Sequence, residues 1–484
     1  MPLILPGVEI KVVKDIVVKQ LNPAGILGLI GISEDIEDGT PRPVGRASSY
    51  KELRMRFGRA LEYTVPEAKL AFQNGISEIV FSPLKGVSAK RAQIELKNSQ
   101  NKPGILLEAR AKGLWGNHIK VKVEQKPDEN GKMTTCKMSI TYKEAFEFYD
   151  NLEPNPKSER YILKVLNEQS DIVTASVIGL TKKQKKKETE DKETLTIESE
   201  DIGLPDNIEA YLTDGKGMTL KDYQDAIEKL ESEEDVDLIV ASIEDYNDIS
   251  FVKNIYQMLE AHCRVMSDQS MNRIAFGSVP PSTLFSNPVS EIEQIKRLAT
   301  TLASERFVLT APYGTLGAII GTIGSLPPHQ SPTYKKISGV PELERRFNPS
   351  ELKELVNANV LVIEEKKERG FIIEKGITTN GEQISVQRVA DRAVRGVKQI
   401  SERFIGTLNT VIGRTALKEK CTEFFIQMEK ENAIVPSADG KEPAFKVDVY
   451  ATDDDISKGI VRLDIAVRPV RAIDYIYGTI LVKA

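Results

Sequence analysis

Hydrophobic and polar positions alternate near the start of the chain with the two-residue period of a half-buried β-strand, and residues 473–482 near its other end are mostly apolar. An apolar strand without a partner tends to pair with another chain. We therefore expect two linker arms, at 1–22 and 468–484, and we expect residues 473–482 to be buried between subunits and disordered in an isolated one. The arm positions expected to pair with a neighbour are Val8, Ile10, Val12, Ile16, Val18, Ile473, Tyr475, Ile476, Tyr477, Ile480 and Val482.

Two segments between the arms alternate helical and strand patterns. In 23–89, an α/β pattern includes a helix start with Ser49 as its cap. In 201–377, apolar strands alternate with amphipathic helices, the first of which begins after Thr219. This order predicts a mostly parallel sheet with helices on both faces.

The segment 90–200 has a different character. Short alternating strands separated by turns predict a β-sandwich inserted between the α/β parts. Near its end, five of the six residues at 182–187 are lysine, a pattern that can bind nucleic acid. Acidic residues follow directly and no aromatic residue is interleaved, so we interpret this run as an exposed loop.

The segment 378–467 contains two amphipathic helices followed by two alternating strands. We expect an α+β assembly domain in which the strands accept an arm from a neighbour. The expected acceptor positions are Phe445, Val447, Val449, Val461, Leu463 and Ile465. Three aspartates at 453–455 lie between the strands, and they lack the spacing and the distal glutamate of a calcium loop. We expect an exposed hairpin turn there.

Composition and charge argue against several classes of function, among them nucleic-acid binding, metal binding and catalysis. The 484 residues are too many for one ordinary core and predict three or four domains. A net charge of -5 argues against a general nucleic-acid binder. The three cysteines and three histidines have no metal-site spacing, and no nucleophile elbow occurs. We expect no enzyme, no cofactor and no metal, although a catalytic triad dispersed in the sequence would leave a hydrolase as an alternative.

Two segments bear on cellular location. The N-terminus has no basic region followed by a long apolar one, so it is not a secretory signal, and we expect folding in a reducing cytoplasm. The glycine-rich segment 311–326 is shorter than the about 20 apolar residues that span a bilayer. Gly317 and Gly321 have the spacing of closely packed helices. We therefore expect a buried segment with close backbone packing and no membrane insertion.

Short motifs along the chain are similar, in the same order, to those of one protein family. They are Pro6-Gly7-Val8, Gly31-Ile32-Ser33-Glu34, Pro43-Val44, Phe57-Gly58, Phe72-Gln73-Asn74-Gly75, the run 109–117, Leu212-Thr213-Asp214-Gly215 and Arg388-Val389-Ala390-Asp391. Together they resemble the tail sheath proteins of contractile phage tails and related contractile injection systems. The stretch 324–328 only approximates a proline-serine-glycine motif of that family, which leaves its local conformation open.

The resemblance implies a multidomain chain of α/β and α+β class. Its parts would be a C-terminal α+β assembly domain with extended N- and C-terminal strand arms, an inserted β-sandwich and a subtilisin-like α/β domain. The subtilisin-like name describes topology, and no catalytic triad carries over, so the resemblance implies no protease activity.

The resemblance also implies a function. Subunits of this family polymerise as helically stacked, typically hexameric rings around an inner tail tube, and they contract to drive the tube through the target cell envelope. The implied partners are other copies of the chain, the inner tube protein, and baseplate and tail terminator proteins, but no nucleic acid. The implied location is the virion tail, assembled in the host bacterial cytoplasm. A non-contractile, strand-exchanging assembly protein is the alternative.

The C-terminal domain of such a subunit would face the tube. One helix in that domain carries a cationic face, which is either a set of charged contacts to the tube or an ordinary solvated surface. The candidate tube-facing residues are Arg388, Arg392, Arg395 and Lys398.

Overall fold

The computed structural model describes residues 25–35, 42–100, 102–127, 129, 131–178 and 202–475. The strands are β1 (Ile26–Gly31), β2 (Gly45–Ala47), β3 (Glu78–Pro83), β4 (Gln93–Leu96), β5 (Ile105–Ala109), β6 (Lys120–Pro127), β7 (Met133–Tyr142), β8 (Ala145–Leu152), β9 (Val173–Val177), β10 (Ile208–Tyr211), β11 (Leu238–Ala241), β12 (Ile274–Ser278), β13 (Phe307–Ala311), β14 (Leu361–Lys366), β15 (Gly370–Ile373), β16 (Phe445–Tyr450) and β17 (Arg462–Val467). The helices are α1 (Tyr50–Phe57), α2 (Leu61–Thr64), α3 (Pro66–Gln73), α4 (Ile162–Gln169), α5 (Leu220–Glu228), α6 (Ile249–Asp268), α7 (Pro288–Thr301), α8 (Leu316–Ser325), α9 (Pro349–Asn357), α10 (Ile384–Ser401), α11 (Val411–Lys430) and α12 (Asp453–Ser457).

Eight strands form a central sheet in the order β15-β14-β13-β12-β11-β1-β3-β2. All neighbours are parallel except at the two edges, where β2 and β15 run antiparallel. Every residue of β1, β11, β12 and β13 is buried, as is usual for parallel strands that are covered on both faces. This is the mixed α/β fold that the alternation of helices and strands predicts.

The strands of 23–89 and of 201–377 belong to this one sheet. β1 pairs with β3 on one side, and it pairs with β11 on the other, where Leu27 lies opposite Leu238. The two segments that the sequence separates into domains therefore share a core. A crossover connection can place parallel strands side by side across a long stretch of chain, and hydrophobic periodicity does not reveal such a pairing.

Two antiparallel sheets lie in the chain between β3 and β11, in the orders β4-β5-β9 and β10-β6-β7-β8. β10 lies beyond the predicted boundary at residue 200 and pairs with β6. The inward side chains of these sheets share a hydrophobic cluster with one face of the central sheet. Trp115 is buried in this cluster, with its ring centroid 6.1 Å from that of Tyr63 and 5.4 Å from that of Tyr142.

The predicted helix caps are confirmed. The Ser49 side chain accepts a hydrogen bond from the backbone N–H of Glu52 at the start of α1. Thr219 and Asp222 form a reciprocal capping box at the start of α5. Each arrangement satisfies amide groups that the first turn of a helix leaves without partners, so these two boundaries follow from local sequence alone.

The glycine-rich segment forms the buried helix α8, which packs against α3. A Cβ atom added at Gly317 would lie 2.4 Å from the backbone oxygen of Glu67, and one added at Gly321 would lie 2.4 Å from the backbone oxygen of Ala71. The expected close backbone packing is confirmed. No helix in the described ranges is both long and apolar enough to cross a membrane.

We expect Gly321→Ala to lower the free energy of unfolding by about 1–3 kcal/mol, because the new methyl group overlaps a backbone that cannot move independently. In an unpacked helix the same change would stabilise by about 1 kcal/mol, so the sign of the effect is diagnostic. Urea unfolding of the purified variant measures it. A stabilised variant would contradict the close packing of α8 on α3.

The C-terminal unit has a hydrophobic cluster of its own, built from α10, α11, β16 and β17. The prediction of a turn at 453–455 is wrong, because these residues begin the short helix α12. Thr452 and Asp455 form its capping box. The carboxylate of the buried Asp455 also accepts two hydrogen bonds from the Arg462 guanidinium, at 2.8 and 2.9 Å. These hydrogen bonds hold the pKa of Asp455 well below its usual range.

Candidate assembly interface

The predicted acceptor strands β16 and β17 form an antiparallel ladder from Phe445 opposite Val467 to Tyr450 opposite Arg462. One face of the ladder packs on the C-terminal cluster, and α11 contacts β16 directly. Lys446 on the other face is exposed. The alternation read from the sequence therefore corresponds to a sheet with one packed face and one solvent-facing side.

This sheet has two strands, and among the described residues no third strand pairs with either edge. Of the acceptor side chains, only Val447 is fully buried. The half-buried ones are Phe445, Val449, Val461, Leu463 and Ile465. A two-stranded ladder is marginal as a separate structure, and its open edges are templates for a further strand.

The chain beyond β17 runs away from this sheet along its own subunit. The backbone N–H of Val470 donates to the carbonyl of Ala433 at 3.0 Å. The side chain of Gln383, just before α10, accepts from the Ala472 N–H at 2.9 Å and donates to the Ala472 carbonyl at 3.1 Å. Of the arm positions that follow, Ile473 and Tyr475 are exposed. The tail thus leaves the subunit beside the N-terminal end of α10.

The remaining arm positions lie outside the described residues. These are Val8, Ile10, Val12, Ile16, Val18, Ile476, Tyr477, Ile480 and Val482.

Two arginines of the predicted cationic face are directed into the subunit. Arg388 Nη1 donates to the carbonyl of Ile323 in α8 at 2.7 Å. Arg395 Nη2 donates to the carbonyl of Val236 at 2.7 Å and also to that of Asn272. Both arginines therefore bind α10 to the part of the subunit that contains the central sheet: Arg388 to α8, and Arg395 to the segments before β11 and β12. Burial lowers the pKa of Arg388.

Asp391, which lies between these two arginines in the sequence of α10, forms a buried ion pair with Arg306. Arg306 Nη1 donates to Asp391 Oδ1 at 2.6 Å, and Asn272 Nδ2 donates to the same oxygen at 2.9 Å. Burial raises the pKa of the Asp391 carboxyl, while the neighbouring Arg306 acts in the opposite direction. We call Arg306, Arg388, Asp391 and Arg395 the α10 cluster. It connects the C-terminal unit to the central sheet.

The other two candidate cations are less buried. Arg392 Nη1 lies 2.5 Å from a carboxylate oxygen of Glu431, just after α11, and Lys398 Nζ lies 3.8 Å from one of Glu234. The arrangement differs from the predicted outward-facing set at Arg388, which is buried, and at Arg395, which is half-buried, because the guanidinium groups of both residues are bound to backbone carbonyls of their own subunit. A helical pattern shows which side is charged but not what packs against that side.

The described residues contain no group of three His, Cys, Asp or Glu side chains placed to hold a metal ion. The three cysteines are buried, and burial raises the thiol pKa of Cys136 to about 12 and that of Cys421 to about 11. Such thiols react slowly. His262 is buried with its Nε2 atom 2.8 Å from Arg273 Nη1. Burial, and then the guanidinium charge, lower the pKa of His262 to about 3.

His262 should make the subunit sensitive to acid. The unfolded chain binds a proton at this side chain below about pH 6.5, whereas the folded chain resists until about pH 3, so stability is lost as the pH falls through that window. At pH 4.5 we expect His262→Gln to retain about 2–3 kcal/mol more of its neutral-pH stability than the parent chain, at 1.36 kcal/mol per pH unit. Urea unfolding at pH 7 and pH 4.5 measures the difference. Equal acid sensitivity would contradict a neutral, buried His262.

An apolar surface that was not predicted from the sequence lies in the loop between α10 and α11 and in the first turn of α11. Ile405, Leu408, Val411 and Ile412 are between 70% and 83% exposed. We call these four residues the apolar tip. The signal in the sequence is four aliphatic residues within eight positions at a loop and the helix start that follows it, where polar residues are common.

The sequence and the fold of this chain are similar to those of known proteins. Residues 216–379 match the family model described as the phage tail sheath protein central domain. No curated protein matches the chain. Among solved structures, the sheath tail protein from Desulfitobacterium hafniense is 14% identical, with a TM-score of 0.51, over 96% of this chain and 97% of that one.

Two structures from the anti-feeding prophage are also similar. A chain of its six-fold symmetrised baseplate is 12% identical, with a TM-score of 0.55, over 99% of each chain. A chain of its helical sheath in the contracted state is 13% identical, with a TM-score of 0.53, again over 99% of each chain. The resemblance predicted from the sequence motifs is thus confirmed: residues 216–379 match the central domain of the phage tail sheath proteins, and the chain has the fold of tail sheath proteins.

Proposed function

We propose that this protein is the repeating subunit of a contractile tail sheath. One observation carries the proposal: the β16–β17 sheet is open at both edges among the described residues, in a chain with the fold of sheath proteins. Strand addition at such an edge supplies main-chain hydrogen bonds, and alternating side chains fix the register. The arms 1–22 and 468–484 of neighbouring copies are the strands that we assign to these edges.

Head-to-tail contacts of this kind build a ring or a helix, because the surfaces on the two partners differ. We propose stacked rings of six subunits around an inner tube, with the 90–200 region forming a β-sandwich and the central sheet forming the subtilisin-like part. The six-fold symmetrised baseplate of a similar protein favours that ring size. Contraction would change the packing of subunits while the arms keep them linked.

The proposed partners are other copies of the chain, the inner tube protein, and the baseplate and tail terminator proteins, in a tail that is assembled in the host bacterial cytoplasm. Of the candidate tube-facing cations, Arg392 and Lys398 are the ones we retain for a tube contact, since they are half-buried and pair with carboxylates, whereas Arg388 and Arg395 are bound to backbone carbonyls. The role is structural and we assign no catalytic residue.

Electron microscopy of the purified protein tests the proposal. A sheath subunit should form tubes at high concentration, wider than a bare tail tube, and sedimentation should show a concentration-dependent shift from subunit to polymer. Protein that stays monomeric at high concentration, with the tube protein present as well as absent, would overturn the proposed function.

A further inference from the structure

The apolar tip is the largest exposed apolar feature of the C-terminal unit. Four aliphatic side chains within eight positions of the chain, two in the loop before α11 and two in its first turn, are each at least 70% exposed, and no element among the described residues covers them. Soluble proteins seldom leave such a surface uncovered unless it binds something. The question is which segment covers it.

The tip adjoins one end of the open sheet. Asn409 Nδ2, within the tip loop, donates to the carbonyl of Ile460 at 3.0 Å. Ile460 lies two residues before β17, and both it and Ile456 are about 40% exposed. The apolar surface therefore continues from the tip to the end of the sheet where β16 stops and β17 starts. A strand added along either edge would arrive at this surface.

The C-terminal tail leaves its subunit at the end of α10 opposite to the tip. The tail leaves beside Gln383, at the N-terminal end of α10, whereas the tip follows the C-terminal end. α10 has 18 residues and is about 27 Å long at 1.5 Å per residue. Fully extended chain covers at most about 3.6 Å per residue, so Val482 lies no more than about 25 Å from Tyr475. To cover its own tip, the tail would have to run almost fully extended along the whole of α10, so a tail from another copy is the favoured occupant.

The sequence of the tail favours it as the occupant. Ile480, Leu481 and Val482 are consecutive apolar residues, and in an extended strand they would point alternately to opposite sides. The packed face of a sheet covers only one of those sides. The N-terminal arm also has a consecutive apolar run, Ile16-Val17-Val18, but charged residues flank that run directly at Asp15 and Lys19, whereas residues 475–482 carry no charge.

We propose that the apolar tip of one subunit binds residues 480–482 of a neighbouring copy, and so holds that arm at the end of the acceptor sheet. This inference rests on the proposed function, since it supplies the anchor for the exchanged strand. It assigns to the tip loop a role in joining subunits.

Disulfide trapping between two differently labelled chains tests the contact. One chain carries Leu408→Cys, and the other carries Ile480→Cys or Leu481→Cys. The native thiols are all buried and give a low background. In assembled tubes we expect one of these neighbouring positions to cross-link strongly and the other weakly, because their side chains alternate. Val87→Cys, on an equally exposed residue, replaces Leu408→Cys in the control and should not cross-link.

A second variant tests the energetic role. The double variant Ile405→Ser with Leu408→Ser should keep the stability of the subunit, since both side chains are exposed, and should raise the critical concentration for assembly about tenfold or more. The matched control, Met55→Ser with Val87→Ser, should assemble like the parent chain.

The outcomes separate the two proposals. If the parent chain forms tubes and the tip variant assembles equally well, or if Leu408→Cys in those tubes cross-links to Val18→Cys of the N-terminal arm instead of to the tail, the inference about the tip is overturned and the sheath function stands. If the parent chain forms no tubes, the proposed function fails and the tip contact fails with it.

Discussion

Removal of residues 476–484 is expected to leave a folded subunit that does not polymerise. The tail from Pro469 to Tyr475 is bonded to its own subunit through Ala433 and Gln383, so a cut after Tyr475 spares those contacts. The deleted residues carry the apolar run that we assign to a neighbour. Losing a whole exchanged strand removes several main-chain hydrogen bonds and buried side chains per contact, each worth about 1 kcal/mol or more.

We therefore expect the critical concentration for assembly to rise at least about a hundredfold, with the thermal unfolding midpoint of the subunit unchanged within a few degrees. Sedimentation velocity and electron microscopy measure the first quantity, and calorimetry measures the second. A chain with Lys483→Ser alone is the matched control and should form tubes. Tubes from the truncated chain at the concentration that suffices for the parent chain would show that this arm does not join subunits.

The second large effect is expected at the α10 cluster. Arg306→Met leaves the buried Asp391 carboxylate without its ion-pair partner, and removing one member of a buried pair costs about 3–5 kcal/mol. The exposed pair of Arg264 with Glu260 is a matched control, and Arg264→Met should change stability little. Urea unfolding of the three chains at neutral pH measures both effects.

The pH dependence of this variant follows from the raised pKa of Asp391. A carboxyl whose pKa is higher in the folded than in the unfolded state, where it is about 3.9, destabilises the protein above the folded pKa, and the penalty disappears as the pH falls through that value. The deficit of Arg306→Met should therefore be largest at neutral pH and should decrease as the pH is lowered through the raised pKa of Asp391. Adding Asp391→Asn should restore part of the loss at pH 7. A deficit that does not change with pH, or no rescue, would mean that the buried charge is not its cause.

Features fixed by local chemistry were predictable from the sequence. Ser49 and Thr219 are short polar residues three positions before a residue that completes the cap, so their helix starts are determined within a few residues. Thr452 and Asp455 have the same capping pattern. We interpreted the three acidic residues there as a turn, although the pattern indicates a helix start. The spacing of Gly317 and Gly321 likewise indicated a close helix contact, because only a missing side chain allows it.

Features that depend on distant partners were not predictable. The pairing of β1 with β11 joins residues that are more than two hundred positions apart, and no local pattern encodes that neighbour. The inward direction of Arg388 and Arg395 depends on carbonyl groups of the central sheet. The apolar tip was not predictable because the few residues around the start of α11 have no periodicity that indicates whether their side chains are buried or exposed.

In the assembly that we propose, strands exchanged between subunits complete the β16–β17 sheet. A cryo-electron microscopy map of assembled tubes, at a resolution that separates strands, tests it most directly. We expect a sheet in which β16 and β17 are flanked by added strands, with continuous density leading each added strand back to a different subunit. A sheet that remains two-stranded in the assembled tube, or one completed by the arms of the same subunit, would contradict it.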